Sequence, residues 1–197
     1  MKALFRPLRS LAWLACLLAL FASLAGTARA GDLTQAVLLV ASRNKANSIY
    51  EQAVVLAAPL PDGKGHVGII LNRPTGVKLE NLFPGQAATR NVADQVYLGG
   101  PVKSDSVIAV TQRPPHDSNY VALMPGLVAV LDGVSVDDII ENTPNEARYF
   151  LGFTVWDDGE LDSQIRDGDW IVRPADARHV LPANPIDLWL ELSGDFV

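Results

Sequence analysis

Arg73 is the side chain in this sequence best placed to do chemistry. It stands in Asn72-Arg73-Pro74, directly after the apolar residues 68–71 (GIIL). Pro74 biases Arg73 towards extended backbone and ends strand pairing, while Asn72 can hydrogen-bond the local main chain. A guanidinium projecting from a strand end can clamp a carboxylate through two parallel bonds. The tripeptide is a candidate anion or partner contact; the competing reading is a buried Arg–Asp pair that ties a loop to the core. Gly99-Gly100-Pro101 follows a second apolar segment, 95–98 (QVYL). Paired glycines permit positive φ and close backbone approach, and their N–H groups can form an anion nest. No Lys-Ser/Thr follows, so this is not a phosphate loop; the plainer reading is a tight turn against another backbone. Where the two tripeptides meet, they make either a packed corner or a small polar pocket.

A third cluster surrounds Trp156 and Trp170, which flank an acidic stretch containing Gly159 and Glu160. Gly159 allows a turn into a helix that begins at Glu160. The tryptophans can wall a ligand site or pin that helix to a sheet. The spacing of Asp157, Asp158, Glu160, Asp162, Asp167 and Asp169 does not match a calcium loop, so no metal ligand is assigned. His66, His116 and His179 lack metal-ligand spacing, and no G-x-S-x-G elbow is present. A set such as His66, Asp105 and Ser104 can be assembled, but nothing selects it over chance. No catalytic residue is assigned and no cofactor is expected. The candidate ligand or partner contacts are Asn72, Arg73, Pro74, Gly99, Gly100, Pro101, Trp156, Gly159 and Glu160.

The elements that must position these residues are short. Residues 36–40 (AVLLV), 53–58 (AVVLAA) and 67–71 (VGIIL) predict strands. The intervening 59–65 (PLPDGKG) is a strong turn, since proline presets φ and glycine allows φ > 0, so a hairpin is predicted. Residues 95–98, 107–112, 120–123, 148–156 and 170–173 read as further strands. One helical turn is expected at 79–82. A helix is expected at 135–141, with Ser135 as cap and two acids in the first turn. Another spans 160–166, with Leu161 and Ile165 on one face, and 185–192 is a last helix with Pro185 in its first turn. The mixture lacks βαβ alternation. It predicts an α+β class, a single compact domain with a mainly antiparallel sheet and short surrounding helices.

The chain opens with Lys2, Arg6 and Arg9, an apolar run over 11–24, and Ala28-Arg29-Ala30. That is the pattern of a signal peptide spanning residues 1–30, with an uncleaved N-terminal anchor as the competing reading; the run is shorter than the roughly 20 residues a membrane-spanning helix needs. The protein is expected to be exported, in the periplasm of a bacterium, with no stable membrane span after cleavage and a mature domain over 31–197. Of the 16 Lys and Arg, four lie in the first thirty residues, which leaves 12 against all 22 acids, a formal charge of −10. Such a chain is a poor match for nucleic acid. Cys16, the only cysteine, leaves with the signal, so the mature protein can form no disulfide.

The clusters 68–74 (GIILNRP), 97–102 (YLGGPV) and 152–170 (GFTVWDDGELDSQIRDGDW) resemble, in residue and order, those of the YqgE/AlgH family. The resemblance runs from about residue 39 to 189. It differs at Glu160, where the family usually has Gln, and at Asp162, where it has Glu. It implies a compact α+β domain with a bent, partly barrel-like sheet; it carries no established biochemical activity. Three functional readings follow. The first is a non-catalytic binding or regulatory module acting on a protein partner or small ligand. The second is a hydrolase-like enzyme using the Arg73/Gly99 corner. The third, implied by the regulatory role proposed for a family member, is a transcriptional regulator; export and the acidic charge disfavour it.

Overall fold

In a computed structural model of the chain, residues 33–194 are described. The signal-peptide reading lies outside the described residues. Ten strands form one curled sheet: β1 (Val37–Ala41), β2 (Val54–Pro59), β3 (His66–Ile70), β4 (Pro74–Lys78), β5 (Gln95–Leu98), β6 (Val102–Thr111), β7 (Tyr120–Met124), β8 (Leu127–Val130), β9 (Ala147–Trp156) and β10 (Trp170–Pro174). The main path runs β10-β1-β2-β3-β9-β6-β8-β7, with β4 and β5 off it. Every pairing is antiparallel except β5 with β9. Short helices surround the sheet: α1 (Leu79–Leu82), α2 (Gly133–Asn142), α3 (Glu160–Arg166), α4 (Ala177–Val180) and α5 (Leu188–Ser193). The α+β single domain is as expected from the sequence.

The unbroken apolar runs of β1 and β2 reflect burial on both faces. In β1, Leu38 and Val40 pack into one core with Leu56, Ile69 and Phe150. Val37, Leu39 and Ala41 face a second core closed by Trp156, Trp170 and Leu161. A third core lies under α2, whose Val136, Ile139 and Ile140 meet Tyr149 and Val96. The expected β2–β3 hairpin forms, with Pro59 opposite His66.

Strand β9 organises the sheet. β6 follows one edge along its length. On the other edge β5 pairs with Phe150 and Leu151, and β3 pairs with Thr154 to Trp156. Gly152, at φ +65°, bends the strand where these two partners change over.

Several details differ from the sequence reading. The cap of α2 is Asp132, whose side chain accepts the Ser135 N–H at 2.9 Å, not Ser135. β4 and β8 were not expected. β4 begins at Pro74 itself, which serves as the first residue of an edge strand where its missing N–H is harmless. Residues 127–130 (LVAV) follow Gly126, at φ +76°, which lets β8 fold back on β7.

Candidate functional site

Two of the three sequence clusters meet at one loop, residues 42–53, between β1 and β2, and the glycine tripeptide packs beside them against β9. Asn72 is 9% exposed. Its Oδ1 accepts the Val54 N–H at 2.9 Å and its Nδ2 donates to the Gln52 carbonyl at 2.8 Å. Arg73 pairs with no acid among the described residues. Its Nη2 donates to the Ile49 carbonyl at 3.4 Å and to the Glu51 carbonyl. The nearby Glu51 carboxylate instead accepts the Asn47 N–H at 3.1 Å. Positive φ at Asn47 and Gln52, 60° and 54°, shapes the tight loop whose carbonyls Arg73 collects. Arg73 is therefore a clip on backbone, which corrects the expected Arg–acid pair.

The glycine tripeptide joins the same corner. The Leu98 N–H donates to the Arg73 carbonyl at 2.8 Å, and the Ile70 N–H donates to the Gly99 carbonyl at 2.8 Å. Gly99 N–H in turn donates to Leu151 at 2.8 Å on β9. A Cβ on Gly99 would lie 2.2 Å from the Gly152 carbonyl oxygen, and one on Gly100 would lie 2.3 Å from the Phe153 carbonyl carbon. The space beside both glycines is filled by β9 backbone. Their close approach is what the sequence suggested; the open anion nest is not what it serves. Pro101 is exposed beyond the corner, and Pro74 pairs opposite Tyr97.

Tyr50, in the clipped loop, links the corner to the tryptophans. Its hydroxyl and the Thr154 hydroxyl are 3.3 Å apart. Burial pushes the Tyr50 phenol pKa up; the Thr154 bond opposes this and the Glu160 charge adds to it, so Tyr50 is neutral at physiological pH. Its ring meets Trp170 edge-on at 5.4 Å, and Trp170 meets Trp156 edge-on at 6.3 Å. Lys45 Nζ lies 5.2 Å from the Trp170 ring centre, 5.9 Å from that of Tyr50, and 2.6 Å from Asp169 Oδ2. This ammonium already fills the only cation position the aromatic pair frames among the described residues.

Both indole N–H groups donate to one atom, Gln164 Oε1, at 3.1 Å from Trp156 and 2.9 Å from Trp170. Gln164 Nε2 donates to Glu160 Oε1 at 3.2 Å, and Glu160 Oε2 accepts the Asp157 N–H at 3.0 Å. Gly159, at φ +74°, supplies the left-handed residue that starts α3. Trp156, Gly159 and Glu160 are thus brought together, and their work is to seat a helix on the sheet. Gln164 was missed. Its signal was present: position 164 lies four residues after Glu160, one helical turn away, between two tryptophans.

Two further features emerge only from the fold. Arg148 stacks on Tyr97 with its guanidinium 4.9 Å from the ring centre, and its Nε donates to Asp94 at 3.0 Å beside a cleft of about 360 Å3. A larger groove, about 910 Å3, opens beside β7, and none of the corner's residues is among those that line it. No helix among the described residues is long and apolar enough to cross a membrane.

Compared with known proteins, residues 38–195 match the family model described as AlgH-like. A UPF0301 protein of Mycobacterium ulcerans is 30% identical over 156 residues, covering 77% of each chain. One of Rhodococcus jostii is 29% identical over 159 residues, covering 79% of each. Among solved structures, the solution structure of the AlgH protein from Pseudomonas aeruginosa superposes with a TM-score of 0.68 at 21% identity, covering 83% of this chain and 88% of that one. A crystal structure of a Corynebacterium diphtheriae protein gives 0.60 at 24% identity, covering 80% and 84%.

Proposed function

The chain belongs to the AlgH-like family, and from that premise we propose that it is an exported, non-catalytic binding module acting on a protein partner. The observation that carries this reading is the filled corner. The residues that most resemble an anion or substrate site are committed to the fold: Arg73 to two carbonyls, Asn72 to the β2 backbone and Gln52, and Gly99-Gly100 to β9. A hydrolase would need a cleft holding a titratable group beside Arg73. Here the Tyr50 and Thr154 hydroxyls bond to each other, and the Glu51 carboxylate beside Arg73 is taken up by the Asn47 N–H. Export rests on the basic start, the apolar run and Ala28-Arg29-Ala30.

Two measurements test it. N-terminal sequencing of the protein from a periplasmic fraction should read from Gly31; an intact Met1 on cytoplasmic protein refutes export. The full chain is then screened on ester, amide and phosphate-ester substrates beside Arg73→Ala. The module reading expects no Arg73-dependent turnover and a lower melting temperature in the variant. Turnover that Arg73→Ala abolishes without unfolding establishes the enzyme instead.

A further inference from the structure

The sheet has three edge strands among those described, and they are treated unequally. β10 pairs only with β1, and it carries Arg173 and Pro174. β4 pairs only with β5, and it carries Pro74 and Lys78. Charges and prolines are the usual devices that stop another chain from pairing with an open edge. β7 (YVALM) pairs only with β8 and contains neither a charge nor a proline. Its other edge makes no ladder bonds to a described strand.

That unblunted edge borders the groove of about 910 Å3. β7 passes close to β2 without pairing with it. Ala36 at the entry to β1, Ala58 in β2 and Ala175 beyond β10 line the groove together with Tyr120, Ala122 and Met124. Tyr120 and Ala122 face outward while Val121 and Leu123 pack into the core, as the two-residue period of a strand requires. Tyr120 is 52% exposed, an aromatic surface with little holding it. No Asp, Glu, Lys, Arg or His is among the described residues that line the groove, in a chain with 22 acids and 16 bases. Charge complementarity thus selects an uncharged occupant, and the open edge selects an extended one.

Resting on the binding-module reading, we propose that β7 receives an extended, uncharged apolar segment of a partner protein, which adds to the sheet as a further strand. The five residues of β7 match a segment of about five residues, roughly 17 Å long. Main-chain bonds to the β7 edge supply affinity, and alternate side chains of the segment enter the groove. Met124 gives that groove an adaptable wall.

The test is a fluorescence anisotropy titration of the full chain with an end-blocked Val-Thr-Val-Thr-Val peptide bearing an uncharged dye. Saturable binding is expected. The same peptide N-methylated at alternate residues keeps its side chains but loses donors on one edge; it should bind about tenfold more weakly or worse. Ala122→Glu, an exposed position that leaves the core untouched, should weaken binding by a similar factor because it charges the groove. Absence of saturable binding, or equal affinity for the N-methylated peptide, overturns strand addition without touching the wild-type fold. If sedimentation shows that the chain itself dimerises and Ala122→Glu separates the copies, the occupant is a second copy and the proposal fails. None of these outcomes depends on Arg73, whose turnover test judges the module reading separately.

Discussion

Replacing Gln164 by methionine should destabilise the protein more than any other change to a half-buried residue of α3. Two indole N–H groups converge on Gln164 Oε1, and the rings that carry them, Trp156 and Trp170, are 3% and 4% exposed. Methionine fills nearly the same volume but accepts no comparable bond. Each donor left unpaired in a buried setting costs about 1–3 kcal/mol. The two together give about 2–6 kcal/mol, and the lost bond to Glu160 adds little because it is exposed. We expect about 3 kcal/mol, read as a urea midpoint shift by far-UV circular dichroism, or a fall of about 6–12 °C in Tm for a domain of this size. The double variant sharpens the test. Trp156→Phe removes one of the two donors, so in the Gln164→Met background it should destabilise less than it does alone, with a coupling of about 1–3 kcal/mol. Gln164→Glu should be intermediate, since it keeps an acceptor but sets a second carboxylate beside Glu160. A Gln164→Met change below about 0.5 kcal/mol, or strict additivity in the double variant, refutes the claim that one amide anchors both tryptophans.

Other expectations follow from the same geometry. Gly100→Ala drives a Cβ to within 2.3 Å of Phe153 main chain; it should destabilise by about 3 kcal/mol or more, measured by chemical denaturation. Asp132→Ala removes the α2 cap and should cost about 0.5–2 kcal/mol at pH 7. The Ser135 N–H holds the Asp132 carboxyl below its usual pKa, so this contribution is complete above the unfolded value near ~3.9 and is lost as pH falls through the folded one. The gap between wild type and variant in urea denaturation should therefore narrow as pH falls from 5 towards 3. Residues 31–197 should show no saturable binding to duplex DNA in a low-salt anisotropy titration, because a formal charge of −10 repels phosphate; binding tighter than about 1 μM that weakens steeply with salt refutes this.

The fold was legible where burial leaves a periodic mark. The runs 36–40 and 53–58 are unbroken because both faces of β1 and β2 are covered, and the 59–65 turn announces its hairpin through Pro and Gly. β4 was hidden because Pro74-Thr75-Gly76 reads as a turn, while in the structure it is an edge strand that needs few of its own bonds. β8 was hidden because a four-residue strand carries almost no period. At the site, the sequence correctly joined Asn72-Arg73 to Gly99-Gly100, since both sit at strand ends with close-approach residues. It assigned Arg73 the wrong partner. A guanidinium's need for acceptors is visible in sequence, but a carbonyl acceptor has no letter of its own, whereas an aspartate does. The role of Gln164 escaped for a related reason: its two donors come from strands brought together only by the curl of the sheet.

The motifs that make this chain recognisable are therefore those that solve one geometric problem. β9 must accept β6 on one edge and two different strands on the other, and the changeover falls within residues 150–154. Three backbones crowd there, which demands Gly99, Gly100 and Gly152, because any Cβ would meet main chain at under 3 Å. The strand leaving that junction at Arg73 passes beneath a loop with exposed carbonyls, which demands a long donor. The next turn of chain must be pinned by large rings, which demands Trp156 and Trp170. Each of these residues is held in place by its neighbours. On the proposed binding-module reading, specificity lies where the fold imposes least, on the outward residues of an edge strand. β7 is such a place: its outward positions, Tyr120 and Ala122, bear on neither the corner nor the three cores. They can change without disturbing the sheet, which is what a surface tuned to one partner requires.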